Sequence, residues 1–305
     1  LDKLDVDAYL PATEHPADAK PISAEKGLDL PVLKNLDVAG SLRVGALKAA
    51  NMKLANIRID MKLQNSIVRM DPVIADLYGG SLKGSISLDT KGIPNISVQQ
   101  KLHSVSMAPL LKDATDFDML EGRGNLAVDL TAKGNSIPAL TRSLGGTTTM
   151  NLVNGAIRGI DLDRNIRAIQ TMGKGDTTEQ GENREERTEF TEFKASFKVK
   201  NGVAHNEDLS VKSRQLSLTG NGNIDLATDH INYEIRAVVA RNPGGQGGTL
   251  TVPVQVKGPY GGLKYKIDYA AILKDAAKQK IENKKEQLKG QVQEQLKDRL
   301  KGLFR

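Results

Sequence analysis

Cysteine and tryptophan are both missing from this 305-residue chain. The first absence excludes a disulfide framework, a cysteine-ligated zinc and thiol catalysis. Aromatic residues of all kinds reach only 4%, too few for the stacking platforms of carbohydrate and single-stranded nucleic-acid binders. No apolar run approaches the ~18 to 20 residues of a membrane-spanning helix, and no secretory signal is recognisable. The histidines, His15, His103, His205 and His230, are scattered without a second ligand at metal spacing. Gly122-Arg123-Gly124 and Gly220-Asn221-Gly222 look like pieces of nucleotide loops, yet neither opens a helix that could cradle phosphate. Acidic pairs such as Glu185-Glu186 lie in polar sequence with nothing to desolvate them, and no nucleophile elbow can be drawn. The expectation is a protein that is not an enzyme and that carries no cofactor and no metal.

Charge is present but unevenly placed. From Lys274 to Arg305 there are ten basic and five acidic residues; the rest of the chain carries 33 and 32. The net charge of +6 therefore sits almost wholly in the tail. A basic end on a neutral body points to contact with an anionic surface and not to nucleic acid. At the other end, Leu4, Val6, Ala8 and Leu10 alternate from the first residues. That run reads as the end of a strand with upstream partners, so the chain is taken as a fragment that an N-terminal anchor could precede.

The dominant pattern is period two. It runs through Ile57-Ile59-Met61-Leu63, Val73-Ala75-Leu77, Leu126-Val128-Leu130-Ala132, Phe193-Ala195-Phe197-Val199, Ile231-Tyr233-Ile235-Ala237 and Leu250-Val252-Val254-Val256, with polar residues between. One face of each strand is apolar and the other wet, which antiparallel sheets tolerate. Turn chemistry separates the runs, at Tyr78-Gly79-Gly80, Asn201-Gly202 and Gly220-Asn221-Gly222 among others. The fold class is mainly β: a long curved antiparallel sheet of some fourteen strands. Short helices are expected at 107–113, at 136–144 with Ser136 as N-cap and Pro138 in the first turn, and at 160–172. The stretch 174–192, with seven acids and three bases, reads as a polar loop.

A degenerate repeat is visible. Gly84-Ser-Ile86-Ser-Leu88 and Gly222-Asn-Ile224-Asp-Leu226 close two units that each open with an apolar-x-Asn-small-apolar turn, at 63–67 and 199–203. Gly124-Asn-Leu126-Ala-Val128 echoes the ending. Repeated hairpins of this kind stack into a quasi-one-dimensional sheet.

The order of these motifs resembles the AsmA family. The matching features are Asp7-Ala8-Tyr9-Leu10-Pro11, the Gly-Gly-x-Leu-x-Gly-x-Ile-x-Leu-Asp run at 79–89 and Glu121-Gly-Arg-Gly-Asn-Leu126. They continue with Leu144-Gly145-Gly146, Asn154-Gly155-Ala156-Ile157-Arg158-Gly159-Ile160-Asp161-Leu162 and Val252-Pro253-Val254-Gln255-Val256-Lys257-Gly258. The resemblance implies an inner-membrane-anchored, largely periplasmic protein of Gram-negative bacteria. It also implies a bridge-like carrier that takes phospholipid in an apolar β-groove towards the outer membrane, with phospholipid as its partner.

On this reading the lipid-facing candidates are Ile57, Ile59, Met61, Leu63, Leu126, Val128, Leu130, Phe197, Val199, Leu216, Leu218, Ile231, Tyr233, Ile235, Val252, Val254 and Val256. Acyl chains need area without directional contacts, and these side chains offer that. The three short helices are too few to roof every strand, so the sheet either folds on itself as a sandwich or leaves a face open. Arg158, Arg164 and Arg167 could meet headgroups, or form a solvated face with Asp161 and Asp163.

From Ala270 onward the apolar period lengthens to steps of three, four or seven, which predicts one basic amphipathic helix. Its end sets Leu300, Leu303 and Phe304 beside Lys297, Arg299, Lys301 and Arg305, suited to an anionic membrane surface or an envelope partner protein. The alternative is a helix packed on the sheet edge or a solvated tail. Three regions are expected: 1–35, the end of an upstream strand plus a linker; 36–268, the repeated groove; and 269–305, the helix. The rival function is a scaffold for outer-membrane protein biogenesis that binds no lipid.

Overall fold

The computed structural model describes residues 2–5, 36–49, 51–115, 117–162, 164, 180–181, 183–214, 216–240, 249–268, 270–272, 274, 281, 285, 288–289 and 293. Every described strand belongs to one sheet. The first half contains β1 (Lys3–Asp5), β2 (Val38–Ala49), β3 (Met52–Gln64), β4 (Ile67–Leu77), β5 (Gly80–Asp89), β6 (Asn95–Ser106), β7 (Arg123–Lys133) and β8 (Gly145–Gly159). The second half contains β9 (Gln180–Gly181), β10 (Asn183–Lys200), β11 (Val203–Lys212), β12 (Leu216–Asp225), β13 (His230–Ala240), β14 (Thr249–Pro259) and β15 (Lys264–Ile267). From β2 onward each long strand pairs antiparallel with the next, and β10 follows β8 directly. The mainly β, antiparallel expectation holds.

The hairpins form where the sequence supplies positive φ. Asn201 and Gly202 stand at φ 52° and 78°, the two left-handed residues that match a turn to the strand twist. Gly84 and Gly222 act differently. Both lie inside strands, where an added Cβ would meet the facing carbonyl oxygen of Gln99 at 1.9 Å or of Asn232 at 2.4 Å. Bare backbone lets the neighbouring chain approach and leaves room for a cross-strand side chain. At Gly222 that room is filled by the ring of Tyr233, its register partner.

Three expectations need correction. Gly220-Asn221-Gly222 is not a turn but the middle of β12, because its glycines serve close packing. Leu4 does pair, but with Leu47 of β2 and in parallel, so the described partner of this strand lies downstream. Within the expected loop 174–192, Asn183 onward is β10, a strand of 18 residues paired with both β8 and β11. Its inward positions there are Glu186, Thr188 and Phe190, and only the last is apolar, which hid the strand from a hydrophobicity pattern. Thr188 is fully buried, donating to the carbonyl of Ile160 at 2.7 Å and accepting from Leu162 N–H at 3.0 Å.

Two helices interrupt the sheet, α1 (Met107–Thr115) and α2 (Ile137–Ser143). Ser136 caps α2 as expected, its Oγ accepting from Ala139 N–H at 3.4 Å. Of the expected helix at 160–172, Leu162 and Arg164 are helical, and 163 and 165–172 lie outside the described residues.

The described strands form one continuous sheet and not two separate ones. The second half of the sheet curls. β9 precedes β10 by one residue and pairs with β15 through Lys264↔Gly181 and Tyr265↔Gln180. The last strand thus reaches the start of the strand that begins this half. The main core fills the curl, from Leu77 and α1 (Met107, Leu110) through Leu152, Leu218 and Val252 to Ile272. A second, smaller cluster of Val44, Ile57 and Ala75 lines the first strands. Beside it Leu36, Val38, Leu42 and Met61 remain exposed. One half of the apolar face is wrapped and the other is open.

Candidate functional site

The curled half encloses an elongated apolar cavity of about 360 Å³. Its floor is the inner face of the sheet from β10 to β14. One margin is formed by Leu111 and Thr115 of α1, the segment 117–120 and the end of β8. The other is formed by the turn after β14 and the start of β15. Strict alternation along β12, β13 and β14 delivers the floor. Leu218, Ile231, Tyr233, Ile235, Val254 and Val256 point in, and the residues between them face water.

Of the residues expected to face lipid, those six, together with Leu130, Phe197 and Val199, line this cavity. Leu216 and Val252 lie beneath it in the main core, and Leu126 packs against that core. Ile57 belongs to the smaller cluster with Ile59 packed on it, Leu63 is buried nearby and Met61 is 39% exposed. These four share the open half of the face, not the cavity. Val128 borders a separate polar concavity of about 730 Å³ with Lys83, Lys101 and Asp129.

The alternating pattern did not single out Leu111, Phe117, Met119, Leu120, Ile157, Ile160 and Tyr260, which complete the walls. They sit on a helix, on an irregular segment, in a turn and beyond the left-handed Asn154, where period two carries no signal. The segment is held on β8 by Glu121 N–H to the Ala156 carbonyl and Arg158 N–H to the Met119 carbonyl, both 2.8 Å. Tyr78 steadies α1 by donating from its hydroxyl to Asp113 Oδ2 at 2.7 Å. Burial and that carboxylate push the Tyr78 phenol up to about 12.

Across the mouth, Phe117 meets Tyr260 edge to face. Burial, with the charges of Asp229 and Asp225, pushes the Tyr260 phenol up to about 12, so it stays neutral at ordinary pH. Arg158 reaches the same rim, its Nε 3.5 Å from Glu121 Oε1, while Arg187 approaches Glu121 Oε2 at 3.8 Å. Arg164 is paired with Glu186, and Arg167 lies outside the described residues.

No group of described His, Asp or Glu side chains could hold a metal ion. Described positions beyond 268 are helical at 270–272, 274, 281, 285, 288–289 and 293. Ile272 is buried in the main core, whereas Ile281 and Leu288 are 68% and 54% exposed. The expected contact residues Lys297, Arg299, Leu300, Lys301, Leu303, Phe304 and Arg305 lie outside the described residues. No described helix is long and apolar enough to cross a membrane.

Comparison with known proteins finds a family and a relative. A family model described as the AsmA family matches residues 7–209. Protein AsmA of Escherichia coli (strain K12) is 23% identical over 261 residues, covering 81% of this chain and 42% of the relative. The chain therefore spans less than half the length of the relative it matches. No solved structure matches.

Proposed function

The chain belongs to the AsmA family, and on that premise we propose that its apolar sheet face binds the acyl chains of phospholipid. The observation that carries this reading is the chemistry of the cavity. Nearly every described lining side chain is aliphatic or aromatic, in a space of about 360 Å³. Ligand pockets begin at about 300 Å³. A methylene occupies roughly the ~30 Å³ share of a water molecule, so the space suits on the order of a dozen methylenes, one acyl chain. Each buried methylene contributes about 0.8 kcal/mol, so affinity is spread over many residues and no single one dominates. Such a site binds and passes on its ligand without chemistry.

The open half of the face, with Val38, Leu42 and Met61 exposed, extends the same surface towards β2. In the cell we place the protein in the periplasm, tethered to the inner membrane and serving outer-membrane assembly through lipid supply. The basic tail from Lys274 onward would meet an anionic membrane surface or an envelope partner protein.

The test is native mass spectrometry of the protein purified without detergent, followed by solvent extraction. A carrier retains phospholipid in a defined ratio. A scaffold for outer-membrane protein biogenesis emerges empty, and that result ends the transport reading.

A further inference from the structure

Six hairpin connections leave the sheet at one end, and the backbone stitches each to the next. Thr90 N–H donates to the Ser66 carbonyl at 3.0 Å, Gly134 N–H to that of Pro94 at 2.9 Å and Gly202 N–H to that of Leu144 at 3.0 Å. Leu226 and Tyr260 extend the row, donating to the carbonyls of Gly202 and Asp229. Its first four members are the β3–β4 turn, the β5–β6 turn, the connection through α2 and the β10–β11 turn. They carry Ile93 and Ile137, 60% and 65% exposed. Neither lines the cavity or the polar concavity, and α2 buries none of its residues. One exposed isoleucine is ordinary; two on adjoining connections, amid charge of one sign, form a surface suited to a partner.

The stretches 62–69, 87–97, 131–147 and 198–205 supply that charge, seven lysines and arginines against one carboxylate, Asp89. Asp89 is turned to its own loop, accepting from Lys91 N–H at 2.9 Å. Lys62, Arg69, Lys91, Lys133, Arg142 and Lys200 are exposed, and among the described residues none has a carboxylate within ion-pair distance. The cationic part of the row ends at the β12–β13 turn, with Asp225 and Asp229.

We propose that these four connections dock on an anionic lipid bilayer, with Ile93 and Ile137 inserted among the headgroups and the cations against lipid phosphates. A peptide partner needs a groove or a strand edge, and the two isoleucines line neither. A bilayer surface instead meets many separated groups at once. Each cation near an anionic leaflet adds a similar increment, and apolar side chains entering the interface add area. This surface is distinct from the basic tail, and its docking does not depend on what the cavity holds. Leu130, Val199 and Leu226 line the cavity at this same end of the sheet, so docking sets the cavity beside the bilayer.

The chain has no tryptophan, so I137W and, separately, I93W place a single fluorescent reporter at each tip. The whole chain is titrated with vesicles of phosphatidylcholine alone or mixed in equal parts with phosphatidylglycerol. Both reporters are expected to shift to shorter wavelength with the mixed vesicles and neither with phosphatidylcholine alone. In the I137W chain, K91Q/K133Q is expected to weaken vesicle binding about thirtyfold, as two charges at a membrane surface imply. K83Q/K101Q removes the same charge about 20 Å from the row, in the middle of β5 and β6, beyond the screening length, and leaves binding within about twofold. No shift at either tip with any vesicle overturns the proposal, as does an equal shift with neutral vesicles. Equal loss in both lysine pairs reassigns binding to general charge, the tail included, and also overturns it. Phospholipid retention by the cavity is read separately, so neither result decides the acyl-binding reading.

Discussion

The ring of Phe117 stands edge-on to that of Tyr260, centroids 5.4 Å apart and planes inclined by 61°. Phe117 hangs from the segment that pairs with β8, and Tyr260 sits in the turn that leaves β14. The pair joins the two margins of a curl that, among the described residues, backbone pairing fastens through β9 and β15. Edge-to-face aromatics contribute about 0.5–1.5 kcal/mol, enough to hold a mouth shut most of the time and weak enough to let it open.

Removing one ring should therefore change rates more than fold. F117A is expected to release a bound acyl chain about threefold to tenfold faster, matching the pair energy. Stopped-flow transfer of a fluorescent phospholipid to acceptor vesicles measures this. An unchanged release rate would show that the contact does not gate the mouth.

Filling the cavity should abolish binding without unfolding the protein. Thr148 lines the cavity and Thr149 next to it faces water. T148W is expected to lower phospholipid retention at least tenfold in the mass-spectrometric assay, while T149W leaves it unchanged. Equal retention in both would place the ligand elsewhere.

Acid sensitivity should come from a polar knot at the β10–β11 bulge. Asn206, 1% exposed, donates to the Ser196 carbonyl at 2.8 Å and to Asp208 Oδ1 at 2.6 Å, and accepts from Leu209 N–H at 3.2 Å. Partial burial raises the Asp208 carboxyl, but hydrogen bonds from Ser196 and Asn206 outweigh it and hold it below its ordinary 3.8. A depressed carboxyl contributes stability above its unfolded pKa and loses it as pH falls through the folded value. D208N should therefore flatten the acid side of the stability curve below about pH 5, and N206A should cost about 1–3 kcal/mol at neutral pH. Urea titrations at pH 3.5 to 7 check both.

A local twist in the β8–β10 pair, with no change of register, sets which face is apolar. Along β10 the buried positions are Thr188 and Phe190, then Phe193, Ala195 and Val199, a change of phase by one residue. The switch falls at Thr191, opposite Asn154, which stands at φ 50°. The register is the same on either side, so no residue is inserted; the left-handed conformation of Asn154 itself locally turns the pair over and keeps both apolar sets inward. N154V forces a β-branched side chain into the left-handed region and should cost about 1–2 kcal/mol, with N154G near neutral. Thermal melts distinguish them, and equal loss in both variants would contradict the conformational account.

Much of this architecture was legible because period two is a direct image of a one-sided sheet. The floor residues Leu218, Ile231, Ile235 and Val254 follow from alternation alone. The curl was not legible, since it depends on β15 meeting β9 across the sheet, a pairing of two residues with no local signature. Nor were Phe117 and Met119, which line the cavity from irregular backbone. The N-terminal part of β10 escaped because buried Thr188 replaces hydrocarbon with hydrogen bonds to Ile160 and Leu162. Ile57 and Leu218 carry the same pattern in sequence but occupy different clusters, because only the second half of the sheet wraps.

The most direct test places a photo-activated crosslinking residue at Ile235, which lines the cavity, and separately at Glu234, its exposed neighbour on the same strand. The residues are adjacent but point to opposite faces of β13. Irradiation in cells followed by lipid analysis of the purified protein should give a phospholipid adduct at 235 and none at 234. An adduct at neither position, or at both equally, would contradict a ligand held on the inner face.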